Sequence, residues 1–231
     1  MKHALNWRVI LLLLSFGLTL PSSAVADRTK ALSLDEVLLN LKSRQESLAT
    51  FIADFQQVQQ NELFAEPQTS AGTLFFDRVG KLLIKTRQPE PYLVLLVEGK
   101  MISGVPGSVL RQKNLPGGKT FLKKMLDLVQ TGDQMKKKFH IQPIPTFNAH
   151  RYELVLKPIK VNRRMPYAEI QAEIDTQLWL PVNLQLIEPA GDSVRFIFRF
   201  TAINSPLPEG IFNVGPIDVD SSTSDDTREN R

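Results

Sequence analysis

The residues best equipped by type to do chemistry are the carboxylates Glu169, Glu173 and Asp175 and the histidines His140 and His150. The three carboxylates share one parity of an extended strand, which places neighbours two apart about 7 Å from each other. Acid–base work by such a pair requires surroundings that hold a proton on one member, and the sequence around them supplies no such environment. They read as one solvated face of a sheet. His140 and His150 do not fall in a metal-ligand spacing. Ser103-Gly104 and Ser193 have no histidine at a nucleophile–base spacing, and neither Gly-x-Ser-x-Gly nor a phosphate-binding loop occurs. The sequence therefore predicts no enzyme, no metal and no cofactor. Lys123-Lys124 and Lys136-Lys137-Lys138 concentrate positive charge. They read as a wet helix end and strand edge, with anionic lipid headgroups or an acidic protein surface as the functional alternative.

The first 26 residues have the layout of a cleaved export signal. Lys2 and Arg8 make a basic start, residues 9–20 (VILLLLSFGLTL) an apolar centre, and Ala24-Val25-Ala26 a small-residue cleavage site before Asp27. An apolar run of about 12 residues is short of the roughly 20 that span a bilayer, so removal is expected rather than retention as an anchor. The chain has no cysteine. That excludes a disulfide scaffold, thiol redox chemistry and a lipidated cysteine at the cleavage point, so the expected product is soluble and held by packing and hydrogen bonds. The formal charge of +4 includes Lys2 and Arg8, and so small a balance gives no warrant for nucleic-acid binding.

The elements that would position any site are short strands. Ser33-Leu34-Asp35-Glu36 is a capping box, and Leu34, Val37, Leu38 and Leu41 continue from it as a helical apolar stripe. From Thr50 the period changes to two, with Phe51, Ala53 and Phe55 on one face. Strand-like runs follow at 70–78, 80–86, 92–98, 100–103, 108–113, 137–142, 151–157, 167–175, 180–188 and 193–201, separated by Gly, Pro or Asn. A second amphipathic helix is expected over 118–131, with Phe121, Leu122, Met125, Leu128 and Val129 on its apolar face and Gly132 as its C-cap. Residues after Asp218 carry too little apolar content to order and are expected to be a disordered tail. About ten strands argue for one antiparallel sheet that twist must curl, giving a concave face for the helices to plug. The expected class is α+β.

At this level the chain resembles the LolA/LolB superfamily of periplasmic outer-membrane lipoprotein carriers. The resemblance rests on Phe51-Ile52-Ala53-Asp54-Phe55-Gln56-Gln57 after the first helix and on the strand–turn–strand from Gly72 through Phe76, Arg78 and Lys81 to Ile84. Gln88-Pro89, Glu98-Gly99-Lys100, Tyr152 to Pro158, and Ile203-Asn204 with Phe212 extend it over about residues 33–219. The chain departs from the family where Val79 replaces a proline, where Leu82 and Ile84 replace aromatics, and in Met101 to Pro106.

The resemblance implies a half-closed β-barrel with a helical lid over a hydrophobic cavity for acyl chains. It divides the chain into a signal (1–26), a carrier domain (27–219) and the tail (220–231). Leu74, Phe76, Leu82, Ile84, Phe121 and Met125 become the cavity candidates, although an ordinary core would use the same residues. Arg78 becomes the lid latch, a guanidinium fork bonded to backbone carbonyls of the helices. The implied function is a monomeric periplasmic shuttle of lipoprotein acyl chains from inner to outer membrane, loaded by an inner-membrane ABC-type release complex and emptied by an outer-membrane acceptor. A carrier or sensor of another lipid or glycolipid using the same cavity stays open as the alternative.

Overall fold

Helix α1 (Leu34–Ser47) starts where the capping box places it: the Ser33 amide donates to the Glu36 carboxylate at 2.8 Å, and the Glu36 amide donates to Ser33 Oγ at 3.3 Å. Val37, Leu38 and Leu41 are buried along one stripe. The computed structural model describes residues 32–61, 66–114, 132–144, 146, 148–161 and 167–219. The expected signal, the helix over 118–131 with Phe121 and Met125, and the tail from 220 on lie outside the described residues.

Twelve strands follow α1 in one sheet: β1 (Thr50–Gln60), β2 (Gln68–Asp77), β3 (Lys81–Gln88), β4 (Tyr92–Val97), β5 (Lys100–Gly104), β6 (Leu110–Asn114), β7 (Phe139–Ile144), β8 (Arg151–Pro158), β9 (Glu169–Asp175), β10 (Leu180–Ile187), β11 (Ser193–Ile203) and β12 (Ile217–Val219). Their spatial order is β12-β6-β5-β4-β3-β2-β1-β11-β10-β9-β8-β7. The sheet is curved and does not close. Strand β1 is its spine, antiparallel to β2 on one side and to β11 on the other. The free edges are β7, which contains Pro143, and the three-residue β12.

Two boundaries differ from the sequence reading. Residues Gly132–Lys138 form a helix, α2, so the strand expected from 137 begins at Phe139; the helix that Gly132 was expected to cap lies outside the described residues. Met135 in α2 and Phe139 at the start of β7 are buried in one cluster with Val37, Leu38 and Leu41 of α1, which seats the short helix against the sheet. The second difference is β12, which includes Asp218 and Val219. It pairs in parallel with Leu110 to Gln112, and Pro216 O accepts from the Leu110 amide at 3.0 Å. These backbone bonds order a segment whose side chains gave no signal.

The strands of the two halves read differently because their burial differs. In β8, Leu154 and Leu156 are buried inward while their neighbours face out, and β9 alternates in the same way with Ile170, Ala172 and Ile174. Strand β4 and residues 82–84 of β3 are apolar without alternation because both faces are covered there. Leu82 and Leu96 turn inward to a cluster with Leu48, Phe76 and Leu180, while Leu83, Leu93 and Leu95 turn outward under Ile211, Phe212 and Val214 of the segment before β12. Lys81 Nζ lies 5.5 Å from the centre of the Phe212 ring and covers it.

Gly72 marks the closest approach within the sheet. A Cβ there would stand 2.1 Å from Lys85 O and 2.7 Å from Phe55 Cε1. Gly72→Ala is expected to cost about 2 kcal/mol or more, because the obstacle is backbone that cannot rotate away. Urea unfolding of the variant measures this; a midpoint equal to the parent's would contradict it.

Candidate functional site

The inner face of the sheet, the face that α1 crosses, encloses a cavity of about 180 Å³. Its wall is continuous across both halves of the sheet. Phe51 of β1, Leu74 and Phe76 of β2 and Leu82 of β3 form one side; Leu154 and Leu156 of β8 and Ile170, Ala172 and Ile174 of β9 form the other. Leu41, Gln45 and Leu48 line it from the α1 side and Met135 from α2, and among the described residues of the wall Gln45 is the one with a polar side-chain end besides the indole N–H of Trp179. The aromatic groups interlock: Phe51 stacks on Phe76 with ring centres 4.9 Å apart and meets Phe200 edge-on at 5.5 Å.

Of the expected residues, Leu74, Phe76 and Leu82 stand in the wall. Ile84 is half-buried in the same cluster, opposite Leu74 in register, without contributing to the wall. The alternation in β8, β9 and β11 also points Leu154, Leu156, Ile170, Ala172, Ile174, Phe198 and Phe200 at the cavity. The period of two was the signal for these; what it lacked was which of the two faces the helix would cross.

Arg78 Nη1 donates to Glu46 O, and to Leu48 O at 3.3 Å. The physical need is plain. Helix α1 ends without a glycine, in an extended Leu48, so its last carbonyls lack partners within the chain's own turn. Side chains from two neighbouring loops fill that role. Besides Arg78, Asn204 Nδ2 donates to Ser47 O at 2.9 Å while its Oδ1 accepts from the Ala49 amide at 2.7 Å. The backbone joins in, with Arg78 N donating to Ala49 O at 2.8 Å and Asn204 N to Thr50 O at 2.8 Å. Asn204 has φ +54, a left-handed conformation that asparagine tolerates better than most residues. Farther along the last turn, Arg44 Nε donates to Leu178 O at 2.6 Å, reaching the turn between β9 and β10.

The outer face carries the carboxylates. Glu173 pairs with Arg151 Nε at 2.8 Å, Asp175 pairs with the same guanidinium, and Glu169 pairs with Lys157 at 3.4 Å. This is a row of ion pairs between β8 and β9, as a solvated sheet face requires. Burial pushes the Asp175 carboxyl up, but the amides of Leu178 and Gln177 and the Arg151 guanidinium outweigh it, leaving it below the ordinary aspartate range. Asp54 is also held low, first by its hydrogen bond from Arg199 and then by that from Thr73, against a smaller opposing effect of burial. No group of three or more His, Cys, Asp or Glu side chains among the described residues could hold a metal ion. Lys136 reaches Asp35 of α1 at 2.5 Å, and Lys137 and Lys138 are exposed at the end of α2; Lys123 and Lys124 lie outside the described residues. No described helix is long and apolar enough to cross a membrane.

An open, curved antiparallel sheet with a helix laid over an apolar hollow defines the class: a half-barrel whose interior, not its surface loops, is the candidate site. The family model described as "Outer membrane lipoprotein carrier protein LolA" matches residues 46–215, and the chain belongs to that family. No curated protein matches the chain. Among solved structures it is similar to a LolA superfamily protein from Nitrosomonas europaea (10% identity, TM-score 0.38, covering 79% of this chain and 98% of that one). It is also similar to the lipoprotein LppX of Mycobacterium tuberculosis (8% identity, TM-score 0.40, 76% and 98%) and to LprF of Mycobacterium bovis (11% identity, TM-score 0.43, 75% and 93%).

Two outcomes are expected here. Arg78→Met should lower stability by about 1–2 kcal/mol, because two helix-end carbonyls lose a charged donor in a partly exposed setting; a thermal or urea midpoint within error of the parent's would refute this. Asp175 and Asp54 have folded-state values below those of the unfolded chain, so their stabilisation is present above about pH 4 and is lost as the pH falls through the folded values. Asp175→Asn should therefore be less stable than the parent at pH 7 and lose less on acidification. Urea midpoints measured from pH 7 to pH 2.5 test this, and parallel curves for the two proteins would be inconsistent with it.

Proposed function

We propose that this protein is a non-enzymatic carrier that shields acyl chains of lipid-modified cargo in the periplasm, taking them from the inner membrane and giving them up at the outer. The observation that carries the reading is the apolar cavity under α1, in a chain whose family is described by lipoprotein carriage. An apolar hollow has a physical use where the cargo is insoluble: each methylene removed from water is worth about 0.8 kcal/mol, so acyl chains do not cross an aqueous space unaided.

The volume indicates the mechanism. A cavity near 150 Å³ accommodates about one benzene ring, so some 180 Å³ holds the end of an acyl chain and no more. Loading then requires α1 to lift from the inner face, which enlarges the hollow by exposing the Phe51, Phe76 and Phe200 group and the β8 and β9 side chains. In this reading Leu74, Phe76, Leu82 and Ile84, with Phe121 and Met125 of the segment outside the described residues, contact the chains. Arg78, the latch that the resemblance implies, acts by anchoring the end of α1 through its last carbonyls. The sequence offers no nucleotide site, so an inner-membrane ABC-type complex supplies the energy, and an outer-membrane acceptor of higher affinity receives the cargo. Residues 1–26 act as the export signal. The aliphatic side chains at 82 and 84 fit straight acyl chains of several lipid classes, so another lipid is the variant reading of the same site.

Native mass spectrometry of the protein isolated from the periplasm, with extraction of whatever rides along, tests the proposal. A bound lipid or lipoprotein of defined mass is expected. Leu74→Glu, at a half-buried wall position that tolerates exchange better than the fully buried Leu82, should lose it by tenfold or more while keeping the fold by circular dichroism. A ligand-free mass together with no uptake of acyl probes would refute carriage.

A further inference from the structure

Of the bonds that hold α1, those from Arg78 and Asn204 reach residues 46–50, where the helix runs into β1. Both donors sit at the ends of β2 and β11, the strands that flank β1, so these bonds fasten the helix to its own chain continuation. Arg44 is different. Its Nε bond to Leu178 O joins α1 to a turn between β9 and β10, separated from β1 by β11 and β10 in the sheet order. It therefore ties the last turn of α1 to the far side of the cavity wall, where Trp179 and Leu180 stand, instead of to its own chain continuation.

The receiving turn is built to stay in place. The Asp175 carboxylate accepts from the amides of Gln177 and Leu178, both at 2.9 Å, and its second oxygen pairs with Arg151. Thr176 N donates to His150 O at 3.1 Å, and Trp179 N donates to Asp175 O at 2.7 Å. Trp179 follows directly, at φ +53. Only three described non-glycine residues have positive φ: Glu98 lies in a two-residue hairpin turn with Gly99, Asn204 suits the conformation, and Trp179 is a bulky residue for which it is unfavourable. That backbone is maintained beside the bond from Arg44, and it sets the indole in the cavity wall.

Resting on the carrier reading above, we propose that Arg44 and the Asp175 to Trp179 turn form the clasp of the lid, with Trp179 as the gate residue the turn holds in the wall, while Arg78 and Asn204 form the hinge. Opening for cargo breaks the Arg44 bond to Leu178 O and leaves the hinge bonds largely intact. Arg44 is a positioning residue in this scheme: it sets how often the cavity opens, not how well it fits a chain.

Hydrogen–deuterium exchange of the purified protein, paired with uptake kinetics of a fluorescent fatty acid, tests the clasp. Arg44→Met should speed exchange of α1 amides tenfold or more and raise the uptake rate at least threefold, with the β1–β11 ladder unchanged. Lys42→Met, which removes the same charge from the same helix, should change neither. If Arg44→Met leaves α1 exchange at the parent rate, or Lys42→Met raises it equally, the clasp is wrong. Faster α1 exchange in Arg44→Met with no fatty-acid uptake by any form, the parent included, would support the clasp and overturn the carrier reading instead. Should Arg44→Met not fold, Arg44→Lys, which keeps the charge and loses Nε, is read by the same criteria.

Discussion

The inner face of this sheet is apolar from β3 across the spine to β8, and among the described residues one fourteen-residue helix and one seven-residue helix lie against it. That mismatch is the constraint on which the rest depends. A face so wide must be removed from water, because its exposure would cost more than a marginally stable domain can tolerate. The helices cover it at one contact each, α1 against β8 to β10 and across the spine, α2 against β7 and β8. The space left between them and the sheet is the cavity. Among the described residues the hollow lies between α1, α2 and the sheet, and the side chains around it are nearly all apolar.

The energetics of α1 follow from the same arrangement. Its apolar stripe is short, with Val37, Leu38 and Leu41 fully buried and Leu34 half-buried, while Leu39 is left exposed on the far side. A helix held by so few residues contributes modest burial, and much of what fixes its position is polar and local: the capping box at one end, and Arg44, Arg78 and Asn204 at the other. Such bonds are worth little each in net free energy, and their geometry is specific. An element fixed in this manner has one defined closed position and a low cost of leaving it, which is the combination a cover over a binding space requires.

Much of this was legible in the sequence, and the reasons for the gaps are physical. The capping box, the change of period at Thr50 and the strand runs read correctly because local pattern and tertiary burial agree there. Leu74, Phe76 and Leu82 were found through the resemblance to a family, and strand parity placed them on one face. The β8, β9 and β11 wall residues were equally periodic, but periodicity alone does not say which face meets a helix. Asn204 and the Leu178 carbonyl were invisible as partners of α1 since these contacts cross 134 to 157 positions of sequence. β12 was missed because three residues of backbone pairing leave no side-chain signature. The short helix Gly132–Lys138 was missed because its run of lysines carries a single buried apolar residue, Met135, too few to show a period.

The two margins of the sheet bear on how such a molecule survives at high concentration. An open sheet always presents two rows of unpaired amides and carbonyls, and a long flat row invites another chain to add itself as the next strand. Here one margin is a three-residue strand, too short to template a neighbour, and the other contains a proline, which has no amide to offer a newcomer. A closed barrel would abolish the problem but would also lock its interior. By blunting both margins instead of joining them, the fold keeps an open sheet without becoming the seed of a polymer.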